Sequence, residues 1–273
     1  MSAVGLVGVA SCLPDNVVTN DFFAAGAAAR RGMFTAPTTR RHVGRDDTAA
    51  AMIERAAIRL VAKLGIDAAR DVDIILTNVT VPDQPFTGCG AEVAHRLGVS
   101  PRFVIDLHNT GCVSFIYMLE LARVLMATTG ARGALLCNVQ NAAGRVFSHP
   151  EVRLKSQAPV PGDGCGVGYV AAGGGSPILS VVHRCQPEFA ADMSVAAADG
   201  RRYWEPGTSP ITRARPPSHG TRRSPVATGR TRTLWVTHSG TGVAAISSTA
   251  RPRLSTISGT KRSRSGSSSR SAW

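Results

Sequence analysis

Cys112 has the sequence surroundings of a nucleophile. It follows a strand-like apolar run at 103–107 and a short turn, and it opens a helical pattern over residues 112–128. The N–H groups and the dipole at a helix start favour a thiolate over a thiol. A thiolate attacks acyl thioesters, and the same N–H groups stabilise the oxyanion that forms. The pattern therefore predicts acyl transfer through Cys112, although a small cysteine that fills a strand–helix junction has the same surroundings.

The six cysteines are widely spaced, so the sequence holds no CxxC pair and no cluster with the spacing of zinc ligands. A disulfide framework is not expected in a chain of this length that begins without an export signal. We therefore expect reduced thiols and no metal site. No run of eighteen apolar residues is present, so we expect a cytoplasmic protein without a membrane span.

Apolar runs typical of buried strands alternate with amphipathic helical patterns through the first two hundred residues. Asp47 or Thr48 is expected to cap the first helix, and Gly65 is expected to end it. The alternation predicts an α/β layered fold with a mainly parallel or mixed sheet. We expect strands at 4–9, 73–79, 103–107, 133–139, 166–171 and 178–182, and helices at 49–64, 88–97 and 112–128.

Three motifs in order along the chain resemble those of one enzyme family. The nucleophile turn reads Gly-Cys112-Val-Ser-Phe, the downstream loop reads Gly-Asp163-Gly-Cys-Gly, and the upstream loop reads Val-Pro-Asp-Gln-Pro-Phe86. Together with the strand and helix pattern they cover about residues 1–200. This region resembles the N-terminal half of the β-ketoacyl-acyl-carrier-protein synthase III family, whose fold is thiolase-like.

The resemblance implies roles for individual residues. Cys112 matches the acyl-carrying nucleophile, and Phe86 matches an aromatic that crosses the family's homodimer interface to line the partner subunit's acyl pocket. The resemblance implies acyl-coenzyme A or an acyl-carrier-protein thioester as substrate, with no cofactor, and decarboxylative condensation in fatty-acid or polyketide biosynthesis. It also implies a structural loop near the site, formed by Gly162, Asp163, Gly164 and Gly166.

The sequence departs from the family in its active-site turn and its donor site. One extra residue separates Asp106 from Cys112, and His108 in that turn is either a neighbour that tunes the cysteine or a turn filler, which we favour. The family's tryptophan and arginine for coenzyme A have no evident counterpart at 30–42. Arg40 and Arg41 could still contact a phosphate, but surface solvation is the commoner fate of such a pair. The missing donor site favours a carrier-protein donor and resembles the branch that moves starter or aryl acyl groups in polyketide and antibiotic pathways, with an ester or amide as the alternative product.

The composition changes sharply near residue 204. Residues 205–273 hold twelve of the 31 Lys and Arg residues but only one of the 18 acidic residues, Glu205. Ser, Thr, Arg, Pro and Gly dominate this segment, and only 234–236 and 243–246 look strand-like. We predict a thiolase-like N-terminal half at 1–204 and a disordered basic tail at 205–273.

The family draws on a histidine and an asparagine from its C-terminal half. Here no asparagine follows Asn141, and His219 and His238 lie outside any family motif. A catalytically defective half-synthase is therefore a competing hypothesis to an active acyltransferase. A shifted reading frame would explain the tail. The competing explanation is a genuine basic tail that contacts phosphates without specificity, although it contains no recognisable nucleic-acid-binding module.

Overall fold

The computed structural model describes residues 3–23, 36–108, 111–150, 152–155 and 157–185, and the backbone of four later strands. A six-stranded sheet organises the molecule, in the order β5-β4-β6-β7-β1-β8. Its strands are β1 (Val4–Cys12), β4 (Ile74–Val79), β5 (Phe103–Leu107), β6 (Gly133–Gln140), β7 (Gly164–Ala172) and β8 (Ser176–Pro177). A separate small pair, β2 (Val17–Thr19) and β3 (Thr39–Arg41), is antiparallel.

The sheet is mixed, which confirms the predicted α/β layered fold with a mainly parallel or mixed sheet. Strands β5, β4 and β6 are parallel to one another, whereas β7, β1 and β8 join by antiparallel pairing. The cause is the connection at 141–163, which returns to the edge where β6 ends, so that β7 runs back along β6. The carboxyl ends of β5, β4, β6 and β1 and the start of β7 consequently meet at one edge of the sheet.

Helix α1 (Ala49–Leu64) covers one face of the sheet. The Thr48 hydroxyl accepts the Ala51 N–H at 3.2 Å, and Gly65 ends the helix with a left-handed φ of 63°, as the sequence predicted. The inner side of α1 is fully buried and rich in alanine, so the helix approaches the sheet closely. Two short helices, α2 (Ala68–Asp71) and α3 (Gly90–Arg96), flank it.

Helix α4 (Ser114–Thr129) lies on the opposite face and ends at Gly130, which has a φ of 68°. Its buried residues, among them Leu119, Ala122 and Met126, pack against the sheet. By length and composition alone, Gly111–Thr129 is the one helical stretch in the described residues that could cross a membrane. A helix packed on a sheet passes the same test, so this feature is weak support for a membrane span.

The later strands form two small sheets. Strands β12 (Arg232–His238) and β13 (Gly242–Ser248) join β9 (Ser180–Arg184), whereas β10 (Val195–Ala197) pairs with β11 (Ile211–Ala214). The β12 and β13 backbones approach the turn that contains Cys112. Most of the predicted disordered tail at 205–273 lies outside the described residues, and its disorder stays a prediction.

Candidate active site

The Cys112 turn links the carboxyl end of β5 to α4. Residues 111–113 form one turn of 3₁₀-helix, and Gly111 has a φ of 68°, a left-handed conformation that suits glycine. The Ser114 hydroxyl donates a hydrogen bond to the Gly111 carbonyl, and Val113 is fully buried in the core. The Val-Ser pair that distinguishes this turn from the family pattern therefore fixes the turn: Ser114 bonds back to its first residue, and Val113 anchors its last residue in the core.

The environment of Cys112 differs from the predicted one. The residue is exposed at the surface, yet partial withdrawal of its thiol from water raises the pKa, and its own backbone N–H opposes that rise. The prediction of a lowered pKa is therefore wrong. The largest cause is desolvation, and regular α-helix begins two residues later, at Ser114, so Cys112 lies before the first turn of α4.

The other thiols separate into buried and accessible groups. Cys12, Cys137 and Cys165 are buried, and Cys185 is exposed like Cys112. Burial also raises the pKa of the half-buried Cys89 to about 11. In the described residues, Cys112 and Cys185 are therefore the two cysteines open to a reagent in water.

Asp106 supports the turn from β5. Its carboxylate accepts hydrogen bonds from the Thr77 hydroxyl of β4 and from the Gly90 N–H of α3, the latter at 2.8 Å. A Cβ at Gly88 would lie 2.0 Å from the Asp106 side chain, so only glycine permits this close approach. Asp106 thereby fixes the strand that leads to Cys112, and His108 lies exposed just after that strand.

Three asparagine side chains that the sequence did not single out lie at the same sheet edge. The Asn78 side chain donates to Asn138 Oδ1 at 2.9 Å, which joins the ends of β4 and β6. Asn141 then accepts the Val81 N–H at 2.9 Å and donates to the Val81 carbonyl at 2.8 Å. Polar residues that end otherwise apolar strands were the available signal.

The carboxylate of Asp163 connects three parts of the backbone. It is 3% exposed and accepts N–H groups from Val43, Ala143 and Gly144 at 2.7–2.8 Å. Burial raises its pKa, and these three hydrogen bonds oppose the rise. Asp163 therefore holds three backbone segments together, and its place beside an active site stays a prediction.

The glycines around Asp163 differ in how much space they have. A Cβ at Gly164 would lie 2.9 Å from the Leu13 side chain, and one at Gly162 would lie 3.2 Å from Arg40 Cβ, whereas Gly166 has open space. The loop precedes β7 at the edge where β5 ends, three strands away. The fold thus brings it to the same sheet edge as the Cys112 turn.

Phe86 and Arg40 lie in contrasting environments. Phe86 is 97% exposed, so it lines no pocket within its own chain. Arg40 is buried, and its guanidinium donates to Asn20 Oδ1 and to the Pro37 carbonyl, both at 2.6 Å, and lies over the Phe23 ring. The expectation of surface solvation is wrong for Arg40, because these partners replace water around the guanidinium.

A mixed sheet with a helical layer on each face and a cysteine turn at its carboxyl edge defines a thiolase-like α/β architecture. Solved structures agree. The 3-oxoacyl-(acyl carrier protein) synthase III of Pseudomonas aeruginosa PAO1 matches 72% of this chain and 61% of its own, with 25% identity and a TM-score of 0.61. The priming β-ketosynthase of the R1128 polyketide pathway, at 20% identity, shares the fold with a TM-score of 0.63 over 72% of this chain and 58% of its own.

Sequence comparison leads to the same family. The β-ketoacyl-[acyl-carrier-protein] synthase III of Granulibacter bethesdensis is 29% identical over 203 residues, which are 71% of this chain and 61% of the relative. No family model matches the chain. The N-terminal region is thus a relative of β-ketoacyl-[acyl-carrier-protein] synthase III with a thiolase-like fold, and the chain spans about half to three-fifths of the length of its curated relatives.

Proposed function

We propose that this chain transfers acyl groups through a thioester on Cys112, as in the synthase III reaction that starts fatty-acid or polyketide chains. The observation that carries the proposal is the position of Cys112. It is an exposed thiol in a tight turn between β5 and α4, at the sheet edge where the family resemblance places the nucleophile. A thiol that only filled a strand–helix junction would be buried.

The acylation step exchanges one thioester for another. The Cys112 sulfur attacks the carbonyl carbon of the donor, the carbon–sulfur bond to the donor breaks, and the donor leaves as a free thiol after it takes up a proton. The Cys112 thiol must lose its own proton first, and partial burial raises its pKa. Acylation should therefore accelerate with rising pH until the thiolate predominates.

Acyl carrier protein is the donor that we favour over coenzyme A. The arginine candidates for a phosphate near residue 40 are engaged elsewhere: Arg40 is buried among its own partners, and Arg41 donates to the carbonyls of Pro14 and Asp15 at 3.2 and 2.8 Å. Transfer of starter or aryl acyl groups to an alcohol or amine, in an antibiotic pathway, remains the alternative outcome after acylation.

A homodimer would complete the acyl pocket. Phe86 is 97% exposed, an unusual state for phenylalanine, and β5 lies at the edge of the sheet with one side unpaired by the described strands. A second copy on this side would bury both features and would place Phe86 against the partner subunit. We propose a cytoplasmic location for the complex.

Condensation requires stabilising groups that acylation does not need. Decarboxylation of a malonyl group develops negative charge, and the family stabilises it with the histidine and asparagine of its C-terminal half. Loss of one such donor commonly lowers the rate about a hundred- to a thousand-fold. Since no asparagine follows Asn141 in this sequence, we expect the chain alone to be a defective half-synthase that accepts an acyl group but condenses little of it.

The two exposed cysteines provide a matched test of the proposal. The full chain and its Cys112→Ala and Cys185→Ala variants are incubated with acetyl-coenzyme A and with acetyl-acyl-carrier protein, and intact mass is recorded. We expect an acetyl adduct on the wild type and on Cys185→Ala, formed faster from the carrier protein, and none on Cys112→Ala. An adduct that survives Cys112→Ala but disappears in Cys185→Ala would overturn the assignment.

Condensed product is measured in the same reactions after addition of malonyl-acyl-carrier protein. An acylated chain without product fits a defective half-synthase. Product from the chain alone would show that its own residues stabilise the carbanion, and it would refute the expectation of a defective enzyme while leaving the role of Cys112 intact.

A further inference from the structure

Four of the six cysteines lie on one side of the sheet, opposite to α4 and outside the proposed chemistry. Cys12, Cys137 and Cys165 belong to the core cluster under α1, and Cys89 packs against that cluster. They lie along neighbouring strands or beside them. In the described residues no group of three metal-ligating side chains occurs, so this set is no metal site. The position of these thiols on neighbouring strands favours disulfide formation between two of them.

One pair faces directly across two strands. Cys12 on β1 and Cys165 on β7 are register partners in antiparallel pairing, and both are 3% exposed. Opposed residues of an antiparallel pair share a face and have Cα atoms about 4.5–5.5 Å apart. Disulfides span Cα distances of about 4.4–6.8 Å. The register therefore places the two Cα atoms within the range of distances that a disulfide spans.

We propose that Cys12 and Cys165 form a reversible disulfide when the protein meets a small-molecule disulfide such as oxidised glutathione. The Cys12 thiolate attacks one glutathione sulfur and releases one glutathione thiol. The Cys165 thiolate then attacks Cys12 Sγ in the mixed disulfide and releases the second thiol. Two protein thiols are oxidised, one glutathione disulfide is reduced, and two protons pass to the departing thiolates.

The position of the pair explains how buried thiols meet the oxidant. Cys12 and Cys165 are the last partners of the β1–β7 ladder, and the next residue, Leu13, is 58% exposed. Opening the end of β1 alone exposes Cys12 first, because strand ends open at a lower free-energy cost than strand centres. Cys165 stays paired with Val139 of β6 and follows Asp163, whose carboxylate holds three backbone N–H groups. Cys12 is therefore the first thiol to react.

The other thiols of the set are less suited to the reaction. Cys137 faces Val167, not Cys165, and lies fully buried in the middle of the sheet. Cys89 lies outside the strands, and its pKa is raised to about 11. The bridge would join β1 to the start of β7, beside the loop that contains Asp163, and would stabilise that end of the sheet against opening.

The test maps the bridge in the full chain. Wild type and the variants Cys12→Ala, Cys165→Ala and Cys137→Ala are equilibrated in glutathione buffers of increasing oxidised fraction, free thiols are blocked, and non-reduced digests are analysed by mass spectrometry. We expect a peptide that links residues 12 and 165 in wild type and in Cys137→Ala, and its loss in the other two variants. Dithiothreitol should reverse it, and oxidation should raise the Tm of wild type by about 5 °C or more.

Two outcomes would overturn the proposal. The first is full alkylation of both thiols after denaturation in every buffer. The second is a bridge that forms only under denaturing conditions. If an alanine variant does not fold, the linked peptide and the Tm shift of wild type still decide the matter. No step involves Cys112, so failure here leaves the proposed acyl transfer untouched.

Discussion

The two faces of the central sheet are closed to different degrees. Under α1, the helix buries seven residues, and Leu60 is fully buried. On the other face α4 buries six residues, but its side chains Phe115, Tyr117, Leu121 and Leu125 are only partly buried, whereas Leu64 is the only such side chain that α1 adds to its core cluster. Each helix also leaves one large apolar side chain exposed, Ile58 on α1 at 54% and Val124 on α4 at 45%. The α1 face is thus the more closed of the two, and the α4 face, next to Cys112, is the more open.

The sharpest test of this comparison uses the same substitution on both faces. We expect Leu60→Ala to lower the free energy of unfolding by about 2–5 kcal/mol, because it leaves a cavity in a closed core. Leu121→Ala on α4 removes a half-buried side chain and should cost no more than about half of that. Chemical denaturation of both variants measures the difference. Equal losses would show that the α4 face is as closed as the α1 face.

A smaller effect should appear on acidification, and it concerns His42, whose ring packs against Phe22 and Phe23. His42 is 2% exposed, its Nε2 has no hydrogen-bond partner among the described residues, and burial lowers its pKa. The folded state therefore binds the proton less readily than the unfolded chain. Stability is complete above the ordinary histidine pKa and falls as the pH drops below it, by at most about 1.4 kcal/mol per pH unit from this group.

Denaturation of wild type and His42→Gln at pH 7.5 and 5.5 isolates this contribution. The variant should lose less stability than wild type on acidification. An unchanged pH dependence in His42→Gln would show that His42 titrates alike in the folded and unfolded chain.

The smallest effect on core stability is expected from removal of the tail. Limited proteolysis should cut after about residue 204 and leave an N-terminal fragment whose α1 face is unchanged. Because β13 pairs with β9 and its backbone approaches α4, the fragment should bind more apolar dye than the full chain. Fragment mass and dye fluorescence measure both effects. A tail that resists protease as well as the rest of the chain would contradict the predicted boundary.

Local signals in the sequence predicted the elements well. Thr48 and Gly65 mark the ends of α1, and the strand at 103–107 has the predicted bounds, because capping and apolar runs depend on neighbouring residues. The pKa of Cys112 was not predictable in this way. It depends on how far the folded chain withdraws the thiol from water, which is a result of tertiary packing.

Contacts between residues that are far apart in the chain could not be predicted from the sequence either. Arg40 resembled a surface residue until the fold supplied Asn20 and the Pro37 carbonyl as its partners. The direction of β7 depends on the connection at 141–163, and the sequence of that connection has no periodic pattern from which its path could be predicted. The thiol pair of Cys12 and Cys165 is 153 positions apart in the numbering, so only strand register reveals it.

Strand β1 has both of its neighbours, β7 and β8, far downstream in the chain. Strand β1 therefore has no partner in this sheet until about residue 172 has been synthesised. Contacts of such sequence separation form slowly because a long loop must close before they are made. During synthesis both edges of β1 lie open to other chains, so a strand that is paired on both sides in the finished sheet is exposed to aggregation while the protein is being made.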